Sequence, residues 1–165
     1  MIFICVGSRG YPFDRLIKKV DELVANGTIT DYVIGQIGSS RYEPKHYQWF
    51  RFCDRDTFCS YQNKADLIIS HAGAGALVSA LKLGKVVLSV PRLKRYGEHI
   101  DDHQTQISSV LAAQGYFREI TDIEKLGEIL QESLNDPIRK TYDKPSCIVS
   151  VIERKLDEWI LDGIL

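Results

Sequence analysis

The sequence predicts a three-layer α/β domain with a mostly parallel β-sheet, in which residues 1–165 form a single unit. Apolar runs of strand length alternate with segments of helical periodicity from one end of the chain to the other. Such alternation is typical of strands joined by crossover helices, which cover both faces of a parallel sheet. Apolar residues make up 44% of the chain and charged residues 26%, which are ordinary proportions for a globular domain. The net charge of −1 gives no overall attraction to nucleic acid, so no nucleic-acid partner is expected.

The first 70 residues are predicted to contain four strands and two helices. An apolar run at 2–6 predicts a buried strand. Apolar residues between Phe13 and Val24 recur at helical spacing and predict a helix that ends at Asn26-Gly27. The segment 41–64 is the least regular part of the chain. The other elements predicted here are strands at 32–37, 49–52 and 66–70 and a short helix at 56–64.

The alternation continues through the second half of the chain. The elements predicted there are a helix at 74–83, a strand at 86–90, a polar irregular segment at 91–102, a helix at 104–113 and a strand at 116–120.

Two details of this half are predicted from local patterns. The spacing of Ile107, Val110 and Leu111 places all three on the buried face of their helix. Thr121 and Glu124 have the spacing of a capping box, which predicts the start of a further helix that ends before residue 137, a proline.

A final helix is predicted over residues 146–162. Its apolar side is formed by Val149, Ile152, Leu156, Trp159 and Ile160. This side either packs on the core of the domain or docks a partner subunit. No run in the sequence reaches the roughly 18 to 20 apolar residues that a membrane-spanning helix needs, so none is predicted.

A loop of small residues follows the strand predicted at 66–70. It reads SHAGAGA over residues 70–76 and opens a helix. Small residues let a ligand approach the backbone, and a helix N-terminus offers unpaired N–H groups that suit a phosphate. Residues 7–10, Gly-Ser-Arg-Gly, add a hydroxyl and a guanidinium at the same edge of the sheet. Because Val78 occupies the third glycine position, the dinucleotide fingerprint is incomplete, and a tight strand–helix turn is the competing interpretation.

A second loop, residues 91–104, is rich in polar groups. It carries three cations, three carboxylates, two histidines and an amide within PRLKRYGEHIDDHQ. Carboxylate and amide side chains are natural hydrogen-bond partners for sugar hydroxyls. A solvated charged loop is the alternative. For Arg92, Lys94 and Arg95 the candidate environments are phosphate, acidic lipid headgroups or water.

No metal site is predicted. The four cysteines form no CxxC pair, and His46 does not complete a zinc set with Cys53 and Cys59. We therefore interpret the cysteines as reduced thiols.

The strings SHAGAG, VPR and YGEHIDDHQ, with the opening VGS…PFDRL, resemble the family 28 glycosyltransferases over about residues 1–134. The chain is similar to small single-domain subunits of bacterial exopolysaccharide and capsule synthesis. These are related to the soluble catalytic subunit of the eukaryotic dolichol-linked UDP-N-acetylglucosamine transferase. Full-length members of the family have the GT-B architecture, in which two Rossmann-like domains flank the active-site cleft. The resemblance implies that this chain is the donor-binding half.

The residue pattern and the resemblance together imply two groups of donor-binding residues. Those expected at the diphosphate and nucleoside are Gly7, Ser8, Arg9, His71, Ala72, Gly73, Ala74, Gly75 and Ser79. Those expected at the donor sugar are Glu98, His99, Asp102, His103 and Gln104. Ser79 stands where many family members carry a glutamate that binds the ribose hydroxyls, and a hydroxyl binds ribose more weakly than a carboxylate does.

The resemblance also implies an activity. We expect a UDP-sugar-dependent hexosyltransferase that inverts the anomeric centre and uses a lipid-linked acceptor. No DxD pair lies at a predicted strand end, so no metal or other cofactor is expected, and backbone N–H groups would stabilise the diphosphate. The catalytic base is unassigned: His71 and Glu98 are candidates within this chain, and a partner subunit is the other possible source.

The family pattern further implies a partner. A membrane-anchored subunit would bind the acceptor, and the present chain would be cytoplasmic and reach the membrane only through that partner. The competing hypothesis is a non-catalytic nucleotide-sugar-binding regulatory module.

Overall fold

The computed structural model of the protein describes residues 1–144. Six strands and five α-helices alternate along this part of the chain. The strands are β1 (Ile2–Cys5), β2 (Val33–Gln36), β3 (Gln48–Phe50), β4 (Leu67–Ser70), β5 (Val86–Ser89) and β6 (Arg118–Glu119). The helices are α1 (Asp14–Ala25), α2 (Arg55–Lys64), α3 (Ala74–Lys82), α4 (His103–Ala113) and α5 (Leu126–Asn135). The helix predicted at 146–162 lies outside the described residues.

The strands form one parallel sheet in the order β3-β2-β1-β4-β5-β6. All of them therefore point the same way, and the loops that follow them gather at one edge. From β1 the strand order runs outward to β2 and β3 in one direction, and from β4 it runs outward to β5 and β6 in the opposite direction. The boundary between β1 and β4 is thus the point where open α/β sheets bind ligands.

Alternate residues of each strand pack into different apolar layers. In β1, Ile2 and Ile4 face the layer that contains α1 and α5, while Phe3 and Cys5 face the layer that contains α2 and α3. All four side chains are at most 1% exposed. The sheet is therefore covered on both faces, which confirms the predicted three-layer α/β class.

The predicted face of α4 is wrong at one position. Val110 is 56% exposed, whereas Gln104 and Ser108 are buried. Ser108 is accommodated because its hydroxyl pairs with the Ser89 hydroxyl of β5 at 2.7 Å. Ile107, like Leu111, does pack against the core.

The predicted capping box is also wrong. The side chain of Asp122, not that of Thr121, accepts a hydrogen bond from the backbone N–H of Glu124 at 3.1 Å. This aspartate caps a short 3₁₀ turn at Ile123–Lys125, and α5 begins directly after it. Aspartate competes well with threonine for such a cap, and the local spacing alone does not distinguish the two.

Within residues 1–144, no helix combines the length and the apolar character needed to cross a membrane.

Candidate functional site

A cavity of about 530 Å³ opens at the carboxyl edge of the sheet. Its walls come from the loop after β1, the start of α2, the loop between β4 and α3, and the region that leads into α4. The lining residues are Val6–Arg9, Gln36, Phe52–Arg55, Phe58, His71–Ala76, Arg92, His99, His103, Gln104 and Ile107. The two loops that the sequence singled out therefore meet in one cavity.

His71 lines this cavity and is 8% exposed. Its Nδ1 lies 3.0 Å from the carbonyl oxygen of Cys5, so the tautomer that satisfies this contact carries its proton on Nδ1. Burial, and secondarily the nearby charge of Arg92, lower the pKa of His71 to about 4. A neutral imidazole with so low a pKa is a weak base at neutral pH, so the geometry favours a structural role.

The other edge of the His71 ring faces two glycines. A Cβ atom built on Gly73 would lie 2.3 Å from the Nε2 atom of His71, and one built on Gly7 would lie 2.6 Å from it. Gly7 also has a φ of +81°, a conformation that L-residues rarely adopt. Both loops approach the ring closely because both positions lack a side chain.

The N-terminus of α3 is open to the cavity. The capping residue Gly73 has no side chain to cap it, and the N–H groups of Ala74 and Gly75 donate to no residue within 1–144. Ala72, fully buried just before it, has a φ of +63°, which is uncommon for a residue with a Cβ. Strained backbone next to unpaired N–H groups is typical of a preorganised ligand loop.

Gln36 is a site residue that the sequence patterns missed. Its side-chain oxygen accepts from the N–H groups of Val6 and Gly7 at 3.2 and 3.0 Å, and its nitrogen donates to the Gly7 carbonyl at 2.8 Å and to the Arg51 carbonyl at 3.1 Å. One buried amide thus fixes the loop after β1. An amide inside an apolar strand is the only local signal that could have identified it.

Arg92 is the largest fully buried side chain among residues 1–144. Its Nη2 donates to the carbonyl of Val6 at 2.6 Å, and its guanidinium lies 5.4 Å from the centre of the Phe13 ring. Burial lowers the pKa of Arg92 to about 10, against the opposing effect of Glu98. The group remains a cation at neutral pH and lines the cavity.

Glu98 has a different environment from the one expected of a sugar ligand. Both of its carboxylate oxygens accept from Arg15 at 2.9 Å, and one also accepts from the N–H of Leu93 at 2.9 Å. Glu98 is 3% exposed and does not line the cavity. Its observed contacts join the 91–104 loop to α1.

Two other predicted residues also lie outside the cavity lining. The Asp102 carboxylate accepts from the N–H of Lys94 at 2.8 Å, and Asp102 borders a separate cavity. The Ser79 hydroxyl donates to the Gln62 side chain at 2.7 Å and to the Ala76 carbonyl at 3.2 Å. Ser79 would therefore have to give up these bonds in order to donate a hydrogen bond to a ribose hydroxyl.

The remaining residues predicted at the donor sugar, His99, His103 and Gln104, do line the cavity. Gln104 is 5% exposed, and its side-chain oxygen accepts from the Arg92 N–H at 3.3 Å. His99 and His103 direct their Nδ1 atoms at the same oxygen of Asp101, at 3.0 and 2.5 Å. The hydrogen bond from His103 contributes most to lowering the pKa of Asp101.

This His99–Asp101–His103 cluster can be interpreted in two ways. It is a carboxylate shared by two imidazoles, or it is a set of ligands for a metal ion, since its three donor atoms lie within 4.8 Å of one another. Imidazole and carboxylate together suit several divalent transition metals. Metal removal in an activity assay distinguishes the two.

One part of the cavity lining is aromatic and was not predicted as part of the site. Phe52 and Phe58 line it beside the N-terminus of α2, and Phe52 is 53% exposed. An exposed aromatic ring at a cavity rim is suited to stacking on a planar base. No periodicity in this segment of the sequence indicates the arrangement.

Comparison with known proteins identifies the family. The model of the glycosyltransferase family 28 C-terminal domain matches residues 1–155. The UDP-N-acetylglucosamine transferase subunit ALG13 of Debaryomyces hansenii is 26% identical over 146 residues, covering 85% of this chain and 65% of that protein.

A second relative is bacterial. The UDP-N-acetylglucosamine–N-acetylmuramyl-(pentapeptide) pyrophosphoryl-undecaprenol N-acetylglucosamine transferase of Synechococcus elongatus is 28% identical over 141 residues. The match covers 84% of this chain and 38% of that protein. The chain thus spans less than two thirds of the length of either relative.

Solved structures show the same fold. The glycotransferase of kitacinnamycin superposes with a TM-score of 0.60 at 17% identity, over 83% of this chain and 36% of that one. MurG of Acinetobacter baumannii superposes with a TM-score of 0.55 at 19% identity, over 80% of this chain and 41% of that one. These neighbours are GT-B glycosyltransferases, which confirms the predicted Rossmann-like half of that architecture. The chain belongs to glycosyltransferase family 28 and corresponds to its C-terminal domain.

Proposed function

We propose that this chain is the UDP-sugar-binding, catalytic subunit of a two-subunit inverting glycosyltransferase. In this proposal it transfers a hexose to a lipid-linked acceptor during polysaccharide or glycan biosynthesis. The observation that carries the proposal is the cavity at the carboxyl edge of the sheet. It combines an uncapped helix N-terminus, a buried cation and a polar cluster within about 530 Å³, a volume typical of small-molecule sites.

The distribution of chemistry along the cavity supports a UDP-sugar in one orientation. The diphosphate would lie against the N–H groups of Ala74 and Gly75, since a helix N-terminus stabilises anions. The uracil would lie toward Phe52, and the sugar toward His103 and Gln104. Both named relatives act with N-acetylglucosamine, so UDP-N-acetylglucosamine is the first donor to test.

The proposed reaction is a single displacement at the anomeric carbon. The acceptor oxygen forms a bond to that carbon while the bond to the UDP oxygen breaks, and the electron pair leaves with UDP. A base takes the proton of the acceptor hydroxyl. Charge that grows on the leaving diphosphate is stabilised by the α3 N-terminus, and we propose that no metal ion is needed.

The base is proposed to lie on the partner subunit. His71 has a pKa of about 4, and Glu98 is held by Arg15 away from the cavity, so neither is suited to accept a proton from the acceptor. The D. hansenii relative is itself one subunit of a transferase. By the same proposal, the partner carries the membrane anchor and the acceptor site, and the present chain stays on the cytoplasmic side.

The test is transfer by the reconstituted pair. The chain, its candidate membrane-anchored partner and a lipid-linked acceptor are incubated with radiolabelled UDP-N-acetylglucosamine, UDP-glucose, UDP-galactose or UDP-glucuronic acid. Label should pass to the lipid only when both chains are present. Binding of UDP-sugar without transfer under any combination would instead support a non-catalytic regulatory module.

A chelator arm tests the metal. Transfer should continue at the same rate after EDTA treatment and dialysis. Loss of transfer that Mn²⁺ or Zn²⁺ restores would contradict the metal-free mechanism and make His99, Asp101 and His103 the first ligands to test by substitution.

A further inference from the structure

We propose that the guanidinium of Arg92 is a direct ligand of the donor diphosphate and takes up the charge that a metal ion would otherwise neutralise. This inference rests on the proposed function, because it assumes that the cavity binds a nucleoside diphosphate. It concerns a residue for which the sequence left phosphate, lipid headgroup and water as candidate environments, with phosphate or headgroup contact favoured over water.

The burial of Arg92 needs a physical explanation. A guanidinium that is 1% exposed has lost most of its hydration, and such a group is stable only when hydrogen bonds and an opposite charge replace that hydration. Within residues 1–144, Nη2 has one acceptor, the Val6 carbonyl. Nε is buried with no hydrogen-bond partner, and Nη1 makes no hydrogen bond to the described residues.

No described carboxylate neutralises this cation. Glu98 is close enough to raise the pKa of Arg92, but both of its oxygens are bound by Arg15. Arg9, another cation that lines the cavity, acts in the opposite direction and lowers the pKa of Arg92. Among the described residues that line the cavity, Arg9, Arg55 and Arg92 are cations and Asp54 is the one carboxylate, which accepts from Thr57. The cavity lining therefore carries excess positive charge.

The position of Arg92 matches the other anion-binding feature of the cavity. Arg92 and the first residues of α3 line the same cavity. The charge of Arg92 also helps to lower the pKa of His71, which lies in the loop that leads into that helix. The Val6 carbonyl that holds Nη2 immediately precedes the glycine loop after β1. A diphosphate against the α3 N-terminus would thus share the cavity with a cation that is held by the Val6 carbonyl.

Arginine suits this position because its donors form a rigid fork. One nitrogen donates to the Val6 carbonyl, and the remaining N–H groups can donate to a phosphate. A lysine has one compact ammonium group, which would have to bind either the Val6 carbonyl or the phosphate. A purely structural arginine would need no free donors, whereas two of the three nitrogens of Arg92 lack described partners.

The experiment compares ligands that differ in phosphate number. Isothermal titration calorimetry measures UDP, UMP and uridine binding to the full wild-type chain, to R92M, to R92K and to the control R95M. Arg95 lies in the same loop, but it is exposed and stacks on Tyr96, 4.8 Å from the ring centre. Circular dichroism melts establish which variants are folded.

For R92M we expect UDP affinity to fall about 10- to 100-fold, as for the loss of charge-assisted hydrogen bonds, while uridine affinity changes less than about 3-fold. R92K should lose about 10-fold for UDP. R95M should bind all three ligands as wild type does. Removal of a buried uncompensated charge is often tolerated, and R92K carries the same test if R92M does not fold.

One outcome would contradict the inference about Arg92, and a different outcome would contradict the proposed function. If wild type binds UDP but R92M and R92K keep the wild-type ratio of UDP to uridine affinity, Arg92 is structural and the inference is wrong. If wild type binds neither UDP nor any UDP-sugar, the proposed function itself is wrong.

Discussion

Replacing Gly73 with alanine tests whether the loop after β4 is built around the ring of His71. The added Cβ would lie 2.3 Å from Nε2 and 2.8 Å from Cε1 of that ring, more than 1 Å inside a normal contact. The ring has little room to retreat, because it is 8% exposed and its Nδ1 is held by the Cys5 carbonyl. The backbone of Gly73, with φ −69° and ψ 123°, suits alanine, so the cost is steric.

Overpacking of this kind typically costs about 1–3 kcal/mol. Urea unfolding followed by circular dichroism should show that loss in the free energy of unfolding of G73A, with an unchanged m-value. G75A is the matched control. No atom lies within 4 Å of a Cβ at Gly75, and alanine is preferred inside a helix, so G75A should gain up to about 1 kcal/mol.

A double-mutant cycle tests whether contact with the His71 ring causes the loss of stability in G73A. If His71 is replaced by alanine, the space that Gly73 needs is available, and adding G73A should then cost nothing or stabilise slightly. The reasoning is refuted if G73A unfolds at the wild-type urea concentration. It is equally refuted if the cost of G73A is the same with and without the imidazole.

Four more predictions concern single residues. His71 has a pKa of about 4 in the folded protein, so below pH 6.5 the unfolded chain binds a proton that the folded protein does not. The free energy of unfolding should therefore fall by about 3 kcal/mol as the pH drops from 6.5 to 4. In urea titrations at a series of pH values, H71N should show a weaker dependence of stability on pH. E98Q should lose about 1–3 kcal/mol of stability through weaker contacts with Arg15, yet keep UDP affinity in calorimetry, and a large loss of affinity would place Glu98 in the site after all. Q104A should weaken discrimination among UDP-sugars more than it weakens UDP binding, and equal loss of both would count against a sugar contact. Q36L should lower UDP affinity about 10-fold by releasing the loop after β1, whereas unchanged affinity would show that the loop needs no such support.

Much of the fold was predictable because most strands and helices also have a clear local pattern of apolar residues. Strands such as β1 are continuous apolar runs, and α1 has strong helical periodicity, so their existence and order follow from the sequence. Failures occurred where a polar residue is buried with a partner from another element. Ser108 was excluded from the predicted buried face of α4 because only the fold brings it to the Ser89 hydroxyl.

The same reason limits prediction of the site. The glycine loop at 70–76 was recognisable because its chemistry lies in consecutive residues after a strand. Glu98 was predicted at the sugar from the family resemblance, and its contact with Arg15, 83 positions away in sequence, leaves no local signal. Gln36 and Phe52 also line the cavity, but neither belongs to a local periodic pattern that would have identified it.

The central claim is that a UDP-sugar binds with its diphosphate at the N-terminus of α3. The most direct measurement is a ¹H–¹⁵N NMR titration of the labelled chain with UDP-N-acetylglucosamine and with uridine. We expect the amides of Ala74 and Gly75 to shift strongly with the UDP-sugar and little with uridine, because only the UDP-sugar brings an anion to their unpaired N–H groups. Saturable shifts confined to residues outside the cavity, or equal shifts with both ligands, would contradict it.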